Sequence, residues 1–225
     1  MVAALNGRVV LVSRTPERLQ EAAASLQAGN HVIEAFDLNA VDDIPRWLKS
    51  VAARVGPISG VVHSAGVHSA VPLRMLDPAK VEALMRINVI AGLMLAKGFR
   101  QKGCFAPGAS LVYLSSVAGM TGQPAIAAYS ASKAALLGAS RSLAIELARD
   151  GIRVNCVSAG MVRTEMSERI FQSLPAEQVD AIEAMHPLGF GSAADVANAV
   201  LFLLAESSRW ITGSNLVVDG GYTAQ

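Results

Sequence analysis

Six short runs rich in Val, Ile and Leu recur along the chain, and helix-like stretches separate them. The runs centre on residues 8–13, 31–37, 59–64, 109–115, 152–158 and 214–218. This alternation constrains the fold more than any other feature. A parallel neighbour can be reached only through a crossover, so strands that alternate with helices build a parallel sheet and predict an α/β protein. No internal repeat, low-complexity tract or linker interrupts the pattern, and 225 residues suffice for one domain, 1–225, with a sizeable core. Asp77-Pro78 pairs an N-cap residue with Pro at the first helical position, so a long helix should open there and carry Asn88.

The segment from Ala109 to Arg149 reads as strand, loop and helix, with Tyr129 and Lys133 four residues apart near the start of the helix. Positions i and i+4 share a helix face, so a phenol and an ammonium point the same way. A neighbouring ammonium should pull the phenol below its ordinary value of about 10 and fit it for proton transfer near neutrality. Thirteen residues earlier, Ser116 ends the strand, where its hydroxyl can reach a substrate oxygen at the crevice of an open α/β sheet. Asn88 stands among Leu, Ile and Val in LMRINVIAGLML. An amide there is costly unless satisfied, so it reads either as a structural Asn or as part of a functional network.

Taken together, these pieces resemble the short-chain dehydrogenase/reductase family. The matching motifs are HSAG (63–66), the helical Asn88, SSVAG with Ser116, YSASK (129–133), IRVNCVSAG (152–160) followed by Thr164, and ITGSNLVVDGG (211–221). The likeness runs from Arg8 to the C-terminus, and its wording is most similar to the 3-oxoacyl-carrier-protein reductase branch. It implies a Rossmann-like, doubly wound parallel sheet with helices on both faces. It also implies a nicotinamide cofactor and a catalytic group of Asn88, Ser116, Tyr129 and Lys133. By position it places Ser64, Ala65, Gly66, Gly160, Val162 and Thr164, with Tyr129 and Lys133, at the cofactor. HSAG departs from the family's Asn-Asn-Ala-Gly, and Ala159 replaces a Pro.

One family element is absent. Its members begin with a strand and a TGxxxGxG turn whose backbone N–H groups approach the pyrophosphate at a helix N-terminus. Here Met1 to Asn6 reads as the tail of a helix, and Arg8 to Ser13 fits the family's second strand. The family's first strand is central in its sheet, so its absence should leave two strand edges without their partner. Two readings stay open: residues missing ahead of Met1, or a short form.

Cofactor preference is read from the end of the first run. An acid there would suit the ribose 2′-hydroxyl of NADH, whereas Ser13-Arg14 suits a 2′-phosphate and favours NADPH. Arg14 could equally be a solvated helix-entry residue. Asp37 resembles the family's adenine-contacting carboxylate, or it is an N-cap for the segment after the strand. The stretch 163–189 scatters Met166, Ile170, Phe171 and Met185 among polar residues and resembles substrate-covering helices. Its apolar, adaptable wall names no particular carbonyl.

Composition narrows the partners. Net charge is +1, so neither a nucleic-acid footprint nor a polybasic membrane patch is expected. The longest apolar stretch, Val89 to Ala96, is too short to span a bilayer. Charged residues are 16%, below the roughly 25% usual for soluble domains, which favours apolar surface shared between subunits of a homodimer or homotetramer. Two isolated cysteines point to a reduced, cytoplasmic setting. The four histidines have no metal-ligand spacing; His63 and His68 read as ordinary loop polar groups. Two functions are compatible with these features: a NADPH-dependent ketoreductase acting on a small carbonyl or acyl substrate, or a cofactor-poor relative serving as scaffold or oligomer partner.

Overall fold

All six runs are strands in the computed structural model, which describes residues 1–172 and 174–225. They are β1 (Val10–Ser13), β2 (Val32–Ala35), β3 (Ile58–His63), β4 (Phe105–Ser116), β5 (Arg153–Ala159) and, last in the chain, β8 (Asn215–Val218). Two further strands, β6 (Val162–Arg163) and β7 (Gly191–Ser192), form a small ladder of their own. Every ladder is parallel.

The main sheet is broken. β3, β4, β5 and β8 form one four-stranded sheet in that order, and β1 with β2 forms a separate two-stranded sheet. Val10 to Ser13 stand opposite Val32 to Ala35 in register. No described strand bonds to the other side of β1 or of β3, so the expected pair of orphan edges is present. Met1 to Asn6, read as a helix tail, holds one short turn at Ala3–Leu5. There Asn6 adopts the left-handed conformation and Gly7 donates back to the Val2 carbonyl.

Helices explain what holds the two pieces together. α1 (Pro16–Ala24) connects β1 to β2, and α2 (Ile44–Val55) leads from β2 to β3. α2 carries Ile44, Leu48, Val51 and Ala52 on one buried face. It packs on α4 (Ala91–Phe99), with Val41, Ile44, Ala91 and Leu95 forming a small core. Phe36, just past β2, stacks on Trp47 at 4.3 Å, and Arg54 of α2 pairs with Glu34 of β2. β1 and β2 are thus attached through α2.

The larger core lies between the four-stranded sheet and its helices, with Phe99, Leu111, Tyr113, Leu136, Leu147, Ile152 and Val154 all enclosed. α5 (Ala127–Leu147) packs on β4 and β5, while α8 (Ala193–Leu204) joins Val112, Val157, Val196 and Leu203 in another core. α3 (Pro78–Met85) begins as expected, the Asp77 carboxylate accepting from the Ala79 N–H at 3.0 Å. Between α3 and α4 the helix widens to a π turn over Arg86–Ile90. α6 (Glu165–Phe171) and α7 (Ala176–Ala184) lie in the stretch read as a cover. Among the described residues no helix is long and apolar enough to cross a membrane.

Candidate active site

The carboxyl ends of β3, β4 and β5 open into a cleft of about 1600 Å³. Ser116, Tyr129 and Lys133 line it, with Ser64, Gly66, Gly160, Val162 and Thr164. The same cleft runs back along the break in the sheet, past Val62 of β3, Val9 beside β1, and Met1 to Ala3.

α5 begins at Ala127, so Tyr129 lies in its first turn and Lys133 one turn further along the same face. Lys133 is buried, its ammonium 5.7 Å from the centre of the Tyr129 ring and donating to the Leu114 carbonyl at 2.8 Å. Burial pulls that ammonium down to about 8, with the nearby Cys156 opposing. The phenol differs from expectation: burial pushes Tyr129 up, and a hydrogen bond with Ser116 only partly offsets this. The reason is geometric, since Lys133 reaches over the ring to a backbone carbonyl and does not meet the hydroxyl. Ser116 ends β4 as expected, its Oγ accepting from the Ala118 N–H at 3.2 Å.

Asn88 sits in the π turn with no exposed surface, and every part of its amide is used. Its Oδ1 accepts from the Val67 N–H at 2.9 Å, and its Nδ2 donates to the Val67 carbonyl at 3.1 Å and to Ser132 Oγ at 3.0 Å. Ser132 donates in turn to the Tyr129 carbonyl at 2.7 Å. Asn88 therefore ties the loop after β3 to the turn that carries Tyr129, acting from behind the cleft wall. Gly66 is that wall: a Cβ there would come within 3.2 Å of Asn88 Oδ1 and 3.5 Å of Lys133 Nζ. A side chain would close the space beside the ammonium, so glycine keeps it open for a ligand.

Sequence reasoning passed over three residues here. Ser115 donates to the Lys133 carbonyl at 2.9 Å and fixes α5 on β4, and Ser132 bridges Asn88 to Tyr129. The three-residue step from Tyr129 to Ser132 was a visible signal for that bridge. His68, read as a loop group, packs edge-on against the Tyr129 ring at 4.7 Å.

Arg14 and Asp37, expected at the cofactor, do not line this cleft. Arg14 is exposed just past β1, and Asp37 is exposed just past β2. The Asp37 carboxylate accepts from both the Asn39 N–H and Nδ2 at 2.9 Å and closes a local turn; it is not the N-cap of the following helix, a place that Asp43 takes. Thr164 is the N-cap of α6, exchanging hydrogen bonds with Ser167 in a capping box. Gly66, Ser64 and Lys133 fit the nicotinamide and ribose end of a dinucleotide. The diphosphate end has no matching turn, since among the described residues no strand stands between β1 and β3 to lead a glycine-rich loop into a helix.

Comparison with known proteins gives the following matches. The family model described as Enoyl-(Acyl carrier protein) reductase matches residues 2–223. The chain is 34% identical over 215 residues to the mouse (Mus musculus) 3-oxoacyl-[acyl-carrier-protein] reductase, covering 95% of this chain and 86% of that protein. It superposes with a TM-score of 0.87 and 25% identity on ElxO with NADP bound, covering 99% of this chain and 91% of that one. The same TM-score, identity and coverage describe its match to 4-hydroxyisoleucine dehydrogenase complexed with NADH.

Proposed function

The chain belongs to the short-chain dehydrogenase/reductase family of NAD(P)-dependent oxidoreductases that interconvert carbonyls and secondary alcohols, and we propose that within it the protein is an NADPH-preferring ketoreductase. The observation that carries this reading is the convergence of Ser116, Tyr129 and Lys133 on one cleft, with Asn88 bracing it from behind.

A nicotinamide cofactor held in this cleft would supply the hydride. Tyr129 gives the proton to the carbonyl oxygen. Burial keeps its phenol protonated at neutral pH, so the donor is loaded before the reaction begins. Loss of that proton leaves a phenolate that the Ser116 hydrogen bond favours, with the Lys133 ammonium over the ring, 5.7 Å from its centre, as the nearby positive charge. Ser116 orients the carbonyl oxygen by donating its hydroxyl proton. Gly66 and Ser64, with the adjoining Ala65, and Gly160, Val162 and Thr164 would hold the nicotinamide side, while Arg14 would take the 2′-phosphate and Asp37 would serve the adenine end. Met161, Met166 and Met185 along the cleft suit a carbonyl with an apolar tail, such as a 3-oxoacyl group, which the name of the mouse relative supports.

Sparse charge and the highly exposed Ile145 and Trp210 support a homodimer or homotetramer. Two free cysteines support a reduced, cytoplasmic setting. The scaffold reading keeps one observation in its favour, the broken sheet at the diphosphate end. Tyr129→Phe separates the two. It preserves volume and removes the proton, so carbonyl reduction should fall by about 10² to 10⁴ with the fold unchanged. Turnover within a few-fold of the parent would overturn the catalytic assignment.

A further inference from the structure

His186 lies 25 residues from Met161 in sequence, beyond the end of α7, and is only 5% exposed. Both ring nitrogens are engaged with backbone. Nδ1 is 2.8 Å from the Ile182 carbonyl, which can only accept, so Nδ1 carries the proton. Nε2 is 3.2 Å from the Met161 N–H, which can only donate, so Nε2 offers its lone pair. Only the neutral ring, in this one tautomer, can make both bonds.

The ring is also held face-on by Tyr222 at 4.8 Å and edge-on by Phe190 at 5.6 Å. The Tyr222 hydroxyl accepts from Gln123 Nε2 at 2.9 Å, in the loop that precedes Tyr129. His186 thus joins the cover helix α7, the segment after β5, and the C-terminal turn. Met161, His186 and Tyr222 all line the cleft.

The segment that His186 holds is itself tightly seated. A Cβ at Gly160 would come within 2.8 Å of the Asp219 Cα, and the Gly160 N–H donates to the Val218 carbonyl at 3.0 Å. Asp219 is the charged group facing the imidazole from the C-terminal turn. Burial pushes its carboxyl up, but hydrogen bonds from Thr223 and Gly221 hold it below the usual carboxylate range. Glu183 of α7 and Arg163 of β6 pair with each other at 3.6 Å, and Tyr222 stacks on the imidazole.

We propose that His186 is a positioning residue whose neutral imidazole latches the segment from Gly160 to Thr164 against α7, its Nε2 holding the Met161 N–H while its Nδ1 is fixed on the Ile182 carbonyl. The effect on turnover rests on the proposed cofactor placement, because that segment is put at the nicotinamide side. The latch itself does not.

Hydrogen–deuterium exchange on the intact, cofactor-free chain at one fixed pH tests it. In the parent the Met161 amide should be protected. His186→Gln keeps an acceptor for that N–H and should retain most of the protection, whereas His186→Leu should lower it by tenfold or more, while protection in β4 and β5 reports that the fold survives. Equal protection of the Met161 amide in the parent and in His186→Leu, or a loss in His186→Gln as large as in His186→Leu, would overturn the latch.

Discussion

β5 and β1 obey the same parallel rule in one chain, yet one is enclosed and the other is not. Every residue from Arg153 to Ser158 is buried, as is every residue of β4 from Ala109 to Tyr113, whereas none of the eight in β1 and β2 is. Neighbours make the difference. β4 and β5 each have a strand on both sides and helices packed over them, but β1 has one partner and a free edge against the cleft. Ser116, Tyr129 and Lys133 sit beside the fully paired strands, Ser116 at the end of β4 and the other two on α5, which packs on β4 and β5. The half that should grip the cofactor's diphosphate sits where pairing is broken. The two demands on a dinucleotide enzyme, positioned chemistry and a cradle for phosphates, are thus met unequally.

Core substitution should expose that inequality most strongly. Leu111 of β4 has no exposed surface, and Leu111→Ala should cost about 2–5 kcal/mol in denaturant unfolding. Val12 of β1 is 38% exposed, and Val12→Ala should stay within about 0.5 kcal/mol. Equal losses at both sites would erase the distinction between the two sheets.

A pH titration of stability sharpens it from the enclosed side. His63 ends β3 with its ring buried, and burial pulls it down to about 4, a hydrogen bond to the Asn88 carbonyl opposing. The folded protein then binds this proton more weakly than the unfolded chain, whose ordinary value is 6.5. The associated stability is fully present above pH 6.5 and is lost as pH falls towards 4. The loss should be about 3 kcal/mol, at roughly 1.4 kcal/mol per pKa unit. His63→Asn should flatten this acid limb, and an unchanged limb would show that the burial of His63 does not govern it.

The smallest effect belongs to the open half. Arg14 stands exposed beside β1, free to meet a phosphate but with little around it. Arg14→Ala should lower the NADPH-over-NADH preference by about 10- to 100-fold, as expected for one charge-assisted contact of about 1.5–3 kcal/mol. No change in the ratio would remove the reason for favouring NADPH.

Much of this contrast was legible in the sequence. All six strands were, because Val- and Ile-rich runs bounded by turn residues declare strands locally, and the missing glycine turn already implied two orphan edges. Asp77-Pro78 marked its helix start for the same local reason. The features that stayed hidden depend on distant partners or on backbone geometry. The π turn around Asn88 leaves no spacing signature, and β6 and β7 are two residues each. Ser132 meets Asn88 across 44 positions, and His186 meets Met161 across 25. The direction of the Tyr129 shift was misread because an i, i+4 spacing gives proximity but not where the ammonium points. Lys133 points to Leu114.

Calorimetric titration of NADPH into this 225-residue chain tests the account most directly. Without a glycine turn at a helix N-terminus, several backbone hydrogen bonds to the diphosphate are lost, each worth about 1.5–3 kcal/mol. Losing two weakens binding by roughly 10² to 10⁴, enough to move a micromolar cofactor towards millimolar. The account predicts a dissociation constant in that weak range, and recovery of micromolar affinity when a strand and glycine turn are joined ahead of Met1 so as to fill the gap between β1 and β3. Micromolar binding by the chain as it stands would contradict it, because some other part of the cleft would then be cradling the phosphates.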